Sequence, residues 1–175
     1  TILANSQGST YLVNHFESPI NYQALWSYAI PNAAIPNWYT NSYDASGWSQ
    51  GKMSVGYGDG DDSTDITGPL TTVYARINFN ITNFNDIVKT MLDIDYDDGF
   101  VAYINGVEIA RANLGATGTI TPYNTLAAGN HEANGYQGIA LDMYSINLLA
   151  FPNLLVNGEN VLAIQVHNVA TNSSD

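Results

Sequence analysis

The chain contains no cysteine. That rules out a disulfide framework, a thiol nucleophile and cysteine-ligated zinc, although not export. Basic residues are almost absent. Lys52, Arg76, Lys89 and Arg111 stand against 16 acids, for a formal net charge of −12. Phosphate backbones need a basic face, so this balance argues against a nucleic-acid partner, and it disfavours an anionic membrane surface. No apolar run approaches the roughly 18 residues of a membrane span, so no membrane insertion is expected. A basic start followed by an apolar stretch is also missing, and any signal peptide is expected to have been removed already. There is no nucleophile elbow, no P-loop and no dinucleotide fingerprint. Glycoside hydrolysis needs two carboxylates facing each other across a substrate, whereas the acids here run as near neighbours in sequence. The chain is therefore expected not to be an enzyme.

What is present is β-structure with neutral polar loops. The 175 residues suit one domain, 1–175, and no linker or repeat divides them. Charged residues make up 11%, while Asn is frequent, Gly numbers 15 and Tyr 12. Such a surface suits a sugar or another neutral polymer as well as it suits plain solubility. Thr72 to Ile81 places Val73, Ala75, Ile77, Phe79 and Ile81 on one parity, the pattern of a half-buried strand. Phe100–Ile104 and Val107–Leu114 flank Asn105-Gly106, a strong hairpin signal because a type I′ turn needs φ > 0 twice. Val88–Tyr96, Ile139–Ile146 and Val161–Val169 read as further strands, with Gly158-Glu159-Asn160 as a turn into the last. Tyr11–His15, Leu25–Ile30 and Met53–Tyr57 are weaker candidates. One or two helical turns are allowed near Asn83–Val88 and in Ile146–Leu155. About eight strands with two long connections, Pro31–Gly51 and Ala116–Gly138, predict an all-β, two-sheet antiparallel jelly-roll sandwich.

Six segments carry a family likeness: Trp26-Ser27-Tyr28, DASGW from Asp44 to Trp48, GYGDGDD from Gly56 to Asp62, DDGFVAYINGVEIAR from Asp97 to Arg111, YNTLAAGNHEANGYQG from Tyr123 to Gly138, and NGENVLAIQVHN from Asn157 to Asn168. In this order they resemble the galactose-binding-like β-sandwich modules of large secreted bacterial proteins. The resemblance covers nearly the whole chain. It implies a jelly roll and an accessory role, with neighbouring domains of the same polypeptide as partners and a secreted or cell-surface location. It also implies that Trp26 and Trp48 pack the end of the sandwich. Modules of this kind continue past the His-Asn of their last strand, so the chain is expected to be a fragment of a longer multidomain protein, with an edge beside the last strand that needs cover.

Two acidic clusters stand out. Asp59, Asp61, Asp62 and Asp65 lie within seven residues, and Asp93, Asp95, Asp97 and Asp98 within six. Neither has EF-hand spacing. A Gly-rich acidic loop can supply the oxygens that calcium takes, so Asp59, Asp61 and Asp62 are candidate metal ligands, against a plainly solvated loop. For the second cluster the competing reading is a turn whose aspartates bond backbone amides. Sugar rings stack their C–H faces on flat side chains. Trp38 and Tyr39, beside Asn37 and Asn41 in a Pro-bounded loop, are the freer aromatic pair, and Trp38→Ala is expected to abolish glycan retention with the fold intact. Tyr123, His131 and Tyr136 form a second ligand-binding candidate set. His167, between Val166 and Val169, reads as a hydrogen-bonded structural histidine. The functional expectation is a non-catalytic, calcium-stabilised carbohydrate-binding module for a polysaccharide or glycan. A structural spacer or adhesion module without a sugar ligand is the alternative.

Overall fold

The computed structural model of the chain describes residues 2–4, 10–12, 16–21, 24–58, 60 and 62–173. Among these the chain is all-β, and helix is confined to two single 3-10 turns, Phe84–Asp86 and Gly135–Gln137. The strands are β1 (Ile2–Ala4), β2 (Thr10–Leu12), β3 (Leu25–Ala29), β4 (Ser49–Lys52), β5 (Val55–Gly56), β6 (Thr64–Asp65), β7 (Thr72–Ile81), β8 (Thr90–Ile94), β9 (Gly99–Ile104), β10 (Val107–Ala112), β11 (Asp142–Ile146) and β12 (Gly158–His167). One six-stranded sheet, in the order β10-β9-β12-β7-β3-β4, forms the frame. The pairs β11–β8, β1–β2 and β5–β6 stand apart from it, and only β5–β6 is parallel.

Period-two alternation builds both layers of core. In β9, Phe100, Ala102 and Ile104 point to one face and Val101 and Tyr103 to the other, and all five are buried. The first face packs with Ala75, Phe79, Leu162 and Ile164 against Ile94 and Ile146 of the β8–β11 pair, with Leu154 and Leu155 closing the cluster. The second face packs Val101, Tyr103, Tyr74, Val161 and Ala163 against Trp38 and Leu114, with Ile35, Tyr39, Tyr43, Trp48 and Tyr123 around them. The long connection after β3 therefore covers the sheet's second face. This changes the reading of β7. Its span is the one the alternation predicts, but Thr72, Tyr74 and Arg76 on the supposedly exposed parity are buried, while Asn78 and Asn80 beyond the covered zone are exposed.

Other differences are local. Pro31–Gly51 is not wholly irregular, because Ser49–Lys52 pairs with β3. Gly158-Glu159-Asn160 already belongs to β12, paired with Ile81, Asn80 and Phe79. Only the first of the two helical candidates contains a 3-10 turn, where the Asn83 side chain accepts from the Asn85 amide. Of the expected Tyr11–His15 strand, residues 13–15, including His15, lie outside the described residues. The expectation that the last strand borders an edge in need of cover is corrected. β12 lies inside the sheet, paired with β7 along its whole length and with β9 from Leu162 to His167, and the sheet's edges are β10 and β4.

The Asn105-Gly106 hairpin forms as predicted, with φ of 51° and 87° at the two positions. A Cβ on Gly106 would also meet Thr40 Cγ2 at 3.3 Å. Gly106→Val is expected to lower stability by about 1 kcal/mol or more, because a β-branched residue resists positive φ. Thermal melting of the variant checks this, and an unchanged midpoint would contradict it.

Candidate functional site

The connection between β3 and β4 is anchored from beneath by Arg76. This side chain rises from β7 and donates to the carbonyl oxygens of Trp38, of Thr40 at 3.0 Å and of Tyr43 at 3.4 Å. Its guanidinium also lies 5.4 Å from the Tyr43 ring centroid. Burial draws the Arg76 pKa down from its ordinary value. Asn37, at φ 56°, starts a tight turn in which Thr40 Oγ1 donates to the Asn37 carbonyl at 2.9 Å. At the far end Ser46 N donates to Asp44 Oδ1 at 2.9 Å, which holds the Asp44 carboxyl below its ordinary range.

This packing corrects the expectation for Trp38. The residue is only 4% exposed. Its ring stacks on Tyr74 at 4.1 Å, meets Tyr103 edge-on at 5.9 Å and tilts against Trp48 at 6.3 Å. No ring face remains for a sugar. Tyr39 is different: it is half-buried, one face stacks on Tyr103 at 4.5 Å, and the side chain borders a cleft of about 200 Å³. Tyr103, Gly106, Glu108, Thr119 and Ile120 help line this cleft. Burial raises the Tyr103 hydroxyl to about 12, which keeps it a neutral hydrogen-bonding group.

Glu108 and Arg111 lie in the DDGFVAYINGVEIAR segment but are not singled out there as a site pair, and the structure shows why. Residues three apart on a regular strand face opposite ways. Here Glu108 pairs with Tyr103 but Ala110 pairs with Ala102, so Ile109 is the extra residue of a β-bulge. The bulge turns Glu108 and Arg111 onto the same face. Arg111 Nε donates to Glu108 Oε1 at 2.9 Å and Nη2 to Oε2 at 2.8 Å, a bidentate pair whose side chains are 11% and 5% exposed for Glu108 and Arg111. Gly118 N adds a third bond to Glu108 Oε2 at 3.0 Å. Arg111 also donates to the Leu114 carbonyl, to Thr121 Oγ1 at 3.2 Å and to the Thr119 carbonyl at 2.6 Å. The carboxylate is thus held in one orientation at the cleft. Oε1, with one bond for two lone pairs, retains an acceptor position. Opposite charges three apart in a strand, in breach of the alternation, are the signal that could have flagged the pair.

A wider cleft of about 540 Å³ runs along Asn41, Tyr43, Asp44, Ser46, Arg76 and Asn78. The cation that lines it, Arg76, is occupied by the three loop carbonyls.

The second acidic cluster does structural work on the other long connection. Asp98, buried, accepts from His131 N at 2.9 Å and Val169 N at 2.7 Å. Asp95 accepts from Asn134 N at 3.0 Å and Gly135 N at 2.7 Å. These aspartates do bond backbone amides, but amides brought from far along the chain rather than from a local turn. His131 is held at three points: one ring face stacks on Tyr96 at 3.9 Å, Nδ1 lies 2.9 Å from the Tyr96 carbonyl, and Nε2 lies 2.9 Å from Asp142 Oδ2. Tyr136 is 65% exposed, with its hydroxyl 2.6 Å from Gln137 Nε2. Tyr123 packs instead beside the second core cluster, with Tyr39. The five expected ligand residues thus divide between the Trp38 cluster and the Asp95–Asp98 clip.

Of the candidate metal ligands, Asp59 and Asp61 lie outside the described residues, and Asp62 is half-buried. Among the described residues no group of three or more His, Asp or Glu side chains could hold a metal ion. No helix there is long and apolar enough to cross a membrane.

No protein-family model matches the sequence. No curated protein matches it either. Among solved structures, the chain is similar to a beta-glucuronidase from glycoside hydrolase family 2, at 18% identity and a TM-score of 0.51, over 85% of this chain and 14% of that one. A glycosyl hydrolase family 2 member from Bacteroides cellulosilyticus aligns at 16% identity and a TM-score of 0.48, over 86% and 18% of the two chains. A beta-glucuronidase from an uncultured Clostridium sp. aligns at 16% and 0.48, over 87% and 24%. The chain spans less than a quarter of each of these structures, and the first of them shows a β-fold shared with one part of a much longer protein.

Proposed function

We propose that this chain is a non-catalytic carbohydrate-binding accessory module of a secreted or cell-surface protein, a jelly-roll sandwich of the galactose-binding-like kind. The observation that carries the reading is the cleft in which the Tyr39 ring stands beside the oriented carboxylate of Glu108. An aromatic ring takes the C–H face of a sugar, and a fixed carboxylate accepts from its hydroxyls, a charged hydrogen bond worth about 1.5–3 kcal/mol. The low share of charged residues and the fold likeness to one part of a glycoside hydrolase family 2 enzyme support the same reading. Affinity electrophoresis through gels containing polysaccharide tests it. The wild type should be retarded, and Tyr39→Ala should weaken retention at least tenfold while keeping a cooperative melt. Retention unchanged in that variant would remove Tyr39 from the site.

The proposal includes calcium in the Gly56–Asp65 loop, on the ground of its four acids and its glycines. At about 100 times the dissociation constant, calcium would add roughly 2.7 kcal/mol of stability. A melting midpoint that falls on adding chelator, with calcium found by elemental analysis, is the expected result. An unmoved midpoint and no metal would refute it.

One observation favours a spacer or adhesion module instead. Met143 on β11 and Ile139 and Leu141 in the segment leading into it are all about half exposed or more, apolar surface of the kind that meets a neighbouring domain. A chain retained by no polysaccharide would favour this alternative.

A further inference from the structure

We infer that the Tyr39–Glu108 cleft selects neutral glycans and rejects uronate-bearing or sulfated ones. The inference rests on the carbohydrate-binding reading above and narrows it to a substrate class. Recognition of a sugar acid needs a cation with donors to spare, and the cleft has none. The chain holds four basic residues. Arg111, beside the cleft, uses Nε and Nη2 on Glu108 and further donors on the Leu114 and Thr119 carbonyls and on Thr121 Oγ1. Arg76 does not line this cleft; it is buried beneath the loop, where it donates to three carbonyls. Lys52 and Lys89 do not line the cleft.

The charged group that lines the cleft is Glu108, and its pairing with Arg111 leaves no net positive charge there to attract an anion. Glu108 meets the ligand space with an acceptor position left on Oε1, which hydroxyl donors of a neutral sugar satisfy and a ligand carboxylate or sulfate cannot. The net charge of −12 adds a long-range repulsion of anionic ligands, which salt screens. Around Glu108 stand Tyr39, Thr119 and the apolar Ile120, an uncharged lining that suits the C–H surface of a neutral sugar. The selection therefore works by what the cleft refuses as much as by what it contacts.

Ile120 provides the decisive variant, since it is 81% exposed and tolerates a long side chain without cost to the core. Affinity electrophoresis would compare galactomannan and arabinoxylan with polygalacturonate and alginate, with calcium and again with chelator. The wild type is expected to be retained by a neutral polymer at least tenfold more strongly than by either polyuronate, a difference of about 1.4 kcal/mol, with little dependence on salt. Ile120→Lys should gain salt-sensitive retention on polyuronate. Wild-type retention on polyuronate equal to or better than on the neutral polymers, in calcium or in chelator, overturns this inference and leaves the carbohydrate reading standing. Retention by none of the four polymers overturns both.

Discussion

Trp38→Ala is expected to destabilise the protein by about 3–5 kcal/mol rather than to remove a binding function selectively. The indole is enclosed by Tyr74, Tyr103, Trp48 and Tyr39, and its own carbonyl accepts from Arg76. Truncation would leave a cavity between the sheet and the connection that covers it, and the surrounding rings are too rigid to collapse into it fully. Domains hold only about 5–15 kcal/mol in all, so the loss is a large share of the total. At this chain length it corresponds to a fall in melting midpoint of about 6–20 °C. Urea denaturation followed by far-UV circular dichroism gives the free energy directly. A variant that melts with the wild type and loses only glycan retention would restore Trp38 as a sugar-stacking residue.

Acidification should weaken the fold through His167, beginning well above the pH at which ordinary carboxylates titrate. The ring is fully buried, and its Nδ1 lies 2.7 Å from the Thr125 carbonyl, so the neutral tautomer carries its proton there. Nε2 has no partner among the described residues. A second proton would place a charge in the interior, and burial pushes the pKa down to about 4 from 6.5. Because the folded pKa is the lower one, the unfolded chain takes up the proton first. Stability is complete above about pH 6.5 and declines as the pH falls toward 4, by about 3 kcal/mol over the window. Urea unfolding at pH 7.5 and pH 4.5 should show most of that loss in the wild type. His167→Gln should start less stable at pH 7.5 and show a smaller difference between the two conditions. Parallel losses in both proteins would assign the acid sensitivity to other groups.

Features set by neighbours along the chain can be read from the residues alone. The alternation in Thr72–Ile81 marks β7 residue for residue, and Asn105-Gly106 marks a turn because positive φ at two successive positions is a local steric demand. The burial of His167 between apolar neighbours is legible for the same reason. The short strands β4 and β6 are not. Ser49–Lys52 has almost no apolar residue and becomes a strand only because β3 offers it an edge.

The candidate site is less legible, since it is made by contacts across long stretches of chain. A loop-borne Trp38 just after Pro36 looks free in one dimension, yet the second face of the sheet supplies apolar area that draws it in. Asp95 and Asp98 look like a cation cluster or a turn until the amides of Gly135, His131 and Val169 arrive to meet them. Local sterics, periodicity and composition are enough to dictate an all-β chain, its central strands, its tight hairpin and an acidic, nearly cation-free character. They do not dictate which aromatic is buried, which carboxylates are already bonded, or that Glu108 and Arg111 share a face. Those outcomes belong to the folded chain. One inserted residue, Ile109, and the folding back of a long connection carry them, and neither has a local energy term visible along the sequence.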